Sequence, residues 1–543
     1  MGREINVDSI LALDAEIIRL KRTRNSLLNV ARIPPEILAY MFRFSITTTT
    51  ESGDPDFARI KKGSYNFLLV CHHWYEVASS APELWSSWGN SLEDWKRWHL
   101  RSGTSALDLV LDGLRHPAGS FDGDLRDALR DHVARGVIRK VHLRSRNIGL
   151  LTSIVSSLTP EGEAIRHSNI ESIVLSDVDV CGFFVRHHFP KLRDLSLFGC
   201  LDLPLDHLKS HTSALVNLKL CDNTTPRTSI PTTTQILSLL ASNPDIRTLM
   251  LRFPTLNNDS RHDFKHRVLL RHLEGLSLIG KIYHIFPILD RLEFPNTVDR
   301  ARLVLSDCTL EQIRQDIGPY IRNYLQRDPR FRDRLCVSLF SRPEPISFDI
   351  SAIDFEDLNP EQPPQRAPPH ANFTMFPSQN APLEARKQLR LDILALLPQE
   401  SIISLETDHT EIEEMVVTMP NLEFLYLFGV VVSNRFLLPK PDGPNAHRKL
   451  LPSLQRLYLE DVTAMDDNWD PLICYLSHQT RDNLLVSLSI FGEGVHICPE
   501  VVEQIERFVE EFIYLPEPDS GCSGLRYLMI VVLVRNVYGM SGI

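Results

Sequence analysis

Twenty histidines and nine cysteines are the side chains here with the chemistry to hold a metal or supply a nucleophile, so their spacing is read first. His207 and His211 stand four apart, as do His262 and His266, a spacing that can set two imidazoles on one helical face. Neither pair has an acid or a cysteine at ligand spacing, and H-E-x-x-H is absent, so chance pairing is the expected reading. The cysteines fall singly at 71, 181, 200, 221, 308, 336, 474, 498 and 522, with no C-x-x-C for a zinc ribbon or a redox motif. No P-loop, no G-x-S-x-G and no G-x-G-x-x-G after a strand occurs. The expectation is no catalytic residue, no cofactor and no metal. An enzyme whose site assembles from distant segments is the rival, and a deep polar pocket with clustered titratable groups would favour it.

The chemistry of recognition is better represented. Phe424, Tyr426 and Phe428 alternate along one segment, Arg456, Tyr458 and Glu460 along another, and Ser487, Ser489 and Phe491 along a third. Tyr527 and Met529 alternate further on. Aromatic residues and arginine dominate interface energetics, with hot spots of ~2 kcal/mol or more. Phe424, Tyr426, Phe428, Arg456, Tyr458, Phe491 and Tyr527 are therefore the candidate target-binding residues. An earlier set, Asp194, Ser196, Phe198, Asn217, Lys219, Thr248, Met250 and Arg252, is less aromatic. The competing reading is that the Pro-rich insertion or the C-terminal tail covers this face.

What must position these residues is a repeated core of the form L-x-x-L-x-L, where L is any aliphatic. It occurs at Ile138-x-x-Val141-x-Leu143 and starts again at 170, 192, 215, 246 and 273, then at 422, 454, 485 and 525. Successive starts differ by 32, 22, 23, 31 and 27, then by 32, 31 and 40. Alternation puts the last two aliphatics of each core inside a strand and the residues between them outside. One such unit buries its leucines only against the next, so the strands are expected to stack in parallel. The spacer 231–241, with Ile236, Leu237, Leu239 and Leu240, reads as a covering helix. Irregular spacing of a constant core is similar to F-box-associated leucine-rich repeats. The resemblance implies an α/β solenoid, strands on the concave face and helices on the convex face. Unrelated strands in an ordinary α/β domain are the alternative.

The front of the chain has another grammar. Pro34 and Pro35 open a short helix in which Ile33, Ile37, Leu38, Met41 and Phe42 fall at helical spacing. Leu69, Val70, Trp74, Val77 and Ala78 make a second stripe, followed by Ala81-Pro82-Glu83-Leu84-Trp85. Helices this short need a neighbour to cover their apolar surface. Ile33-Pro34-Pro35-Glu36-Ile37-Leu38, Val70-Cys71-His72-His73-Trp74 and the trailing Ala81-to-Trp85 segment together resemble the F-box-like domain of fungal, basidiomycete-type proteins. The resemblance covers roughly residues 30 to 90, with a polar insertion from Thr47 to Lys62 as its departure. It implies docking on a Skp-type adaptor of a cullin-RING ubiquitin ligase through Ile33, Pro34, Ile37, Leu38, Met41, Phe42, Val70 and Trp74. The repeats would then hold an unknown protein target. A non-degradative interaction scaffold is the alternative, as is a helical bundle serving only as an N-terminal cap.

The expected organisation is a helix at 8–30, an F-box-like domain at 31–100 and one repeat block at 105–340. A Pro-rich loop or linker at 341–387 and a second repeat block at 388–543 follow. Along 8–30, Ile10, Leu13, Ile17, Leu20 and Leu27 fit the a/d seam of a short coiled coil, broken by Arg24 at an a position. The seam either dimerises or folds back on the F-box-like helices, and its shortness favours the fold-back. Nine prolines lie between Ser341 and Lys387. A net charge of −11 weighs against nucleic acid or an anionic membrane as partner. No run is apolar for long enough to span a bilayer, and unpaired thiols without a leader suggest a cytoplasmic or nuclear protein.

Overall fold

The computed structural model describes residues 7–27, 33–46, 66–88, 101–103, 105–112, 127, 138–144, 165–166, 169–176, 184, 187–200, 205–212, 214–221, 231–253, 256, 266–295, 298, 300–327, 335–341, 346–352, 371–377, 383–407, 419–432, 451–464, 468–478, 485–492, 495 and 497–516. The architecture is mixed α/β, with helices at the N-terminus and parallel strands after them. Two compact units divide the chain: Met1–Thr248 with His262–Phe264, and Leu249–Arg261 with Lys265–Ile543. That division near residue 248 falls inside the span that the repeat spacing assigns to one block.

In the first unit, α1 (Val7–Ser26) is followed by α2 (Pro35–Ile46), a 3-10 turn at Asn66–Leu69, α3 (His72–Ser80) and a second 3-10 turn at Pro82–Trp85. Pro35 opens α2 at a position whose N–H would have no intrahelical partner, and the Leu38 N–H reaches back to Pro34 O at 3.0 Å. Leu38, Phe42, Phe67, Val77, Ala78, Ala81, Leu84 and Trp85 close into one core, with Ile33, Ala39, Leu68 and Trp74 packed on it. Phe42 stacks on Phe67 with centroids 4.5 Å apart and meets the Trp74 ring at 5.0 Å. α1 and α2 thus part company: α2 packs on α3, while Ile10, Leu13, Ile17, Leu20 and Leu27 along α1 are exposed among the described residues.

Trp85 anchors what comes next. Its indole N–H donates to Ala78 O at 2.6 Å, and the Arg101 guanidinium lies 4.5 Å over its ring. Immediately after it, β1 (Ser87–Trp88) pairs in parallel with β2 (Leu107–Asp112), Ser87 opposite Asp108. The helical module therefore runs straight into the first rung of a parallel ladder.

That ladder continues through β3 (Ile138–Arg144), β4 (Ser172–Ser176), β5 (Asp194–Phe198) and β6 (Asn217–Cys221), all parallel. Leu109, Val141, Ile173, Leu195 and Leu218 form one inward row in register, each 0% exposed. Between strands the same backbone bond recurs: Arg193 N–H to Glu171 O at 2.8 Å, then Val216 N–H to Arg193 O and Arg247 N–H to Val216 O, both at 2.7 Å. α4 (Leu205–His211) precedes β6, and α5 (Thr233–Ala241) follows it. A capping box opens α5, Thr232 and Gln235 exchanging bonds of 3.1 Å, and Ile236, Leu237, Leu239 and Leu240 are buried as the spacer pattern requires.

In the second unit, β7 (Thr248–Phe253) pairs with β8 (Gly275–Lys281), which pairs in parallel with β9 (Arg300–Cys308). A Cβ at Gly280 would collide with the Phe253 carbonyl, so only glycine lets these two strands approach. α6 (Ile282–Arg291) follows β8, and a helical run at 310–327 follows β9. Next come β10 (Leu335–Ser341), β11 (Ile346–Ala352), β12 (Ala371–Pro377) and α7 (Leu383–Leu396). The ladder resumes with β13 (Ile402–Thr407), β14 (Phe424–Phe428), β15 (Arg456–Glu460), β16 (Leu485–Gly492) and β17 (Val509–Pro516). α8 (Asp470–His478) and α9 (Pro499–Ile505) precede the last two strands.

The Pro-rich segment is where expectation and fold differ. Residues 346–352 and 371–377 are strands, not loop or linker. β11 is antiparallel to both β10 and β12, while β12 runs parallel to β9 and β10 parallel to β13. A three-strand meander alternates direction, so its outer strands can both join a parallel ladder while only the middle one opposes it. The prolines at 343 and 345 fall between β10 and β11, and Pro377 ends β12, all compatible with strand pairing. Residues 353–370, with the densest prolines, lie outside the described segments.

A turn shared by both units explains how four of the strands begin. In Phe189-Pro190-Lys191-Leu192, Asn243-Pro244-Asp245-Ile246, Met419-Pro420-Asn421-Leu422 and Leu451-Pro452-Ser453-Leu454, the first carbonyl accepts from the fourth N–H at 3.1 to 3.4 Å. Proline fixes the second position of the turn, and the final aliphatic is the first of the repeat core. All four of those aliphatics are buried.

Candidate functional site

The helical module has an inside and an outside, and the residues singled out from sequence divide between them. Leu38 and Phe42 are core, 0% and 4% exposed, and Trp74 packs against them. Leu38 and Phe42 hold the module together and are buried within it, which corrects their assignment as adaptor contacts, while Trp74 keeps part of its surface. Ile33 also packs partly on this core. Pro34, Ile37, Met41 and Val70 do face solvent.

Four residues outside the expected docking set join them: Tyr40, Phe44, Leu69 and Tyr75. Ile37, Tyr40, Met41 and Phe44 recur at helical spacing along α2, and Leu69, Val70 and Tyr75 surround the start of α3. All seven are between 42% and 83% exposed. The signal was available: α2 is apolar on two faces, and a helix with one neighbour can bury only one of them.

The second candidate surface is the outward side of the strands, part of which is buried: Ser404, Ser487 and Ser489 are 8%, 5% and 1% exposed. In the second unit, Ser404, Phe424, Arg456, Ser487 and Glu511 stand in one register row, and Glu406, Tyr426, Tyr458, Ser489 and Ile513 in the next. Phe428, Glu460 and Phe491 continue a third. The Arg456 guanidinium lies 5.4 Å from the Phe424 ring centroid, and the Tyr426 and Tyr458 rings are 6.1 Å apart. Such packing along a row buries Phe424 and Tyr458, each 8% exposed, so these two candidates serve mainly as support. Tyr426, Phe428, Arg456 and Phe491 keep part of their surface in solvent. Tyr527 lies outside the described residues.

In the first unit the corresponding rows are polar: Asp108, Lys140, Ser172, Asp194 and Asn217, beside His142, Val174, Ser196 and Lys219. Arg139 clamps Asp108 with bonds of 3.0 to 3.2 Å, and the Asn217 amide donates to Asp194. His142 is held neutral by its surroundings. Burial, aided by Lys140 and opposed by Asp194, pushes its pKa down to about 4, and its sealed Nδ1 has no hydrogen-bond partner.

Titratable groups elsewhere are shaped by structure. Burial beside Asp307 pushes the Cys308 thiol up to about 12, which leaves it protonated and unreactive. Lys281 bonds Asp307 at 3.0 Å, and that bond and one to Tyr283 raise its pKa. His207 and His266 are exposed, while His262 and the His211 side chain lie outside the described residues. Among the described residues, no three His, Cys, Asp or Glu side chains gather as a metal site, and no helix is long and apolar enough to cross a membrane. No protein-family model matches the chain, and no curated protein matches it.

Proposed function

We propose that this chain is the substrate-recognition subunit of an SCF-type cullin-RING ubiquitin ligase. The outer face of α2, with Leu69, Val70 and Tyr75, would dock on a Skp-type adaptor. The parallel ladders would form an irregular leucine-rich-repeat solenoid whose half-open aromatic rows hold a protein target. The observation that carries this reading is the exposure of Ile37, Tyr40, Met41 and Phe44 on a helix whose other face is already sealed. Burying that face would gain about 25 cal/mol for each Å² of apolar surface covered. Such a subunit does no bond chemistry; it raises the effective concentration of target lysines near the charged conjugating enzyme.

The continuity of Trp85 with β1 supports a fixed geometry between docking module and first ladder, because no linker intervenes. The scaffold alternative uses the same surfaces without ubiquitin transfer. Both are tested by capturing wild type and the Ile37→Asp/Met41→Asp variant and probing for adaptor, cullin and ubiquitin conjugates. Loss of adaptor and cullin in the variant, with circular dichroism unchanged, supports the ligase reading. Equal recovery from both proteins rejects these contacts, and a partner set without cullin favours the scaffold.

A further inference from the structure

We propose that α1 is a dimerisation element: it pairs with α1 of a second copy of this chain as a parallel two-stranded coiled coil. This does not rest on the ligase reading. Ile10, Leu13, Ile17, Leu20 and Leu27 are 41% to 69% exposed, so the described residues bury none of them. A lone helix of 20 residues in water is marginal even for favourable sequences, and the Arg19–Glu16 pair at 2.7 Å that braces this one is exposed. A surface helix carrying a row of bare aliphatics needs an apolar partner.

The pattern says which partner. With Ile10 at a, the a positions are Ile10, Ile17 and Arg24, and the d positions are Leu13, Leu20 and Leu27. β-branched a residues over leucine d residues favour two parallel strands over three or four. A single polar a residue, here Arg24, fixes register and opposes higher oligomers at some cost in stability. The flanking charges agree. In a parallel pair each g residue faces the e residue five positions on in the other helix, so Glu16 meets Lys21 of the second copy, on both sides of the seam. Asp14 at e meets Ser9 at g, so the charges oppose nothing. The seam from Ile10 to Leu27 spans about 26 Å of helix, short enough for the dimer to dissociate on dilution.

The test is sedimentation velocity of the full chain over a wide concentration series. The expected result is a reversible shift from one chain of 62.0 kDa to twice that mass. Ile17→Asp should raise the dissociation constant by about tenfold or more; because Ile17 is 41% exposed, at most the helical signal of α1 is lost and the rest of the chain unfolds in denaturant as wild type does. Glu16→Lys should weaken pairing, and adding Lys21→Glu should restore it. A monomer at every concentration overturns the proposal, as does a dimer indifferent to Ile17→Asp. A trimer rejects the two-stranded assignment. Weakening by Lys21→Glu but not by Glu16→Lys rejects the parallel one, since Asp14 faces Lys21 only when the helices run in opposite directions.

Discussion

The two ladders are built on the same inside and finished with different outsides. Leu109, Val141, Ile173, Leu195 and Leu218 in the first unit have their counterparts in Leu405, Leu425, Leu457, Leu488 and Phe512 in the second. Even the bonds between strands repeat: Gln455 N–H to Glu423 O and Val486 N–H to Gln455 O, both at 2.8 Å, match the Arg193 and Val216 bonds of the first unit. Outward, the first unit pairs charges and amides, whereas the second sets Arg456 over Phe424 and Tyr426 beside Tyr458. The inner rows are fixed by the need to bury each strand against the next, and they leave the outer rows free to differ. A difference that packing does not demand is where function is to be sought.

The largest expected effect concerns the shared part. Leu218→Ala and Leu457→Ala should each cost about 2 to 5 kcal/mol, since both side chains are 0% exposed in equivalent rows. Denaturant unfolding of the two variants measures this. If one ladder tolerates the change and the other does not, the equivalence fails.

Next in size is an acid sensitivity belonging to the first unit. His142 ordinarily titrates at 6.5 and is held at about 4 here, so the unfolded chain binds its proton first as the pH falls. Stability is full above pH 6.5 and declines between 6.5 and about 4, by about 3 kcal/mol at most. His142→Gln should flatten that limb of a stability-against-pH curve. An unchanged slope would mean that His142 does not set it.

The smallest effects on stability, under about 1 kcal/mol each, are expected for Arg139→Ala and Tyr426→Ala, whose side chains are partly in solvent. They should separate in binding: Tyr426→Ala lowers recovery of captured target proteins, and Arg139→Ala does not. The reverse order would move the recognition surface to the first unit.

The L-x-x-L-x-L cores made the strand positions legible, because a period of two with large aliphatics has few other solutions. The covering helix at Thr233–Ala241 was legible for the matching reason. Four features were not. Leu38 and Phe42 share α2 with Ile37 and Met41, and periodicity marks apolar positions without saying which face meets a neighbour. The turns with proline at their second position occur four times just before a repeat core, but a single proline carries no period to mark them. β11 and β12 hide in a proline-rich segment because composition averages over 18 residues that lie outside the described structure, 353–370, and the strands flanking them. Burial of Phe424 and Tyr458 depends on neighbours one strand away, 32 residues distant for the Phe424–Arg456 pair, which no local pattern shows.

The central claim is that a sealed helical module offers its outer face for docking while the aromatic ladder stays available for a target. Amide hydrogen exchange of the full chain, alone and saturated with a Skp-type adaptor, tests it most directly. The account predicts slowed exchange within 35–46 and 66–75, with 419–432 and 451–464 unchanged. Protection of the ladder segments, or of neither region, would contradict it.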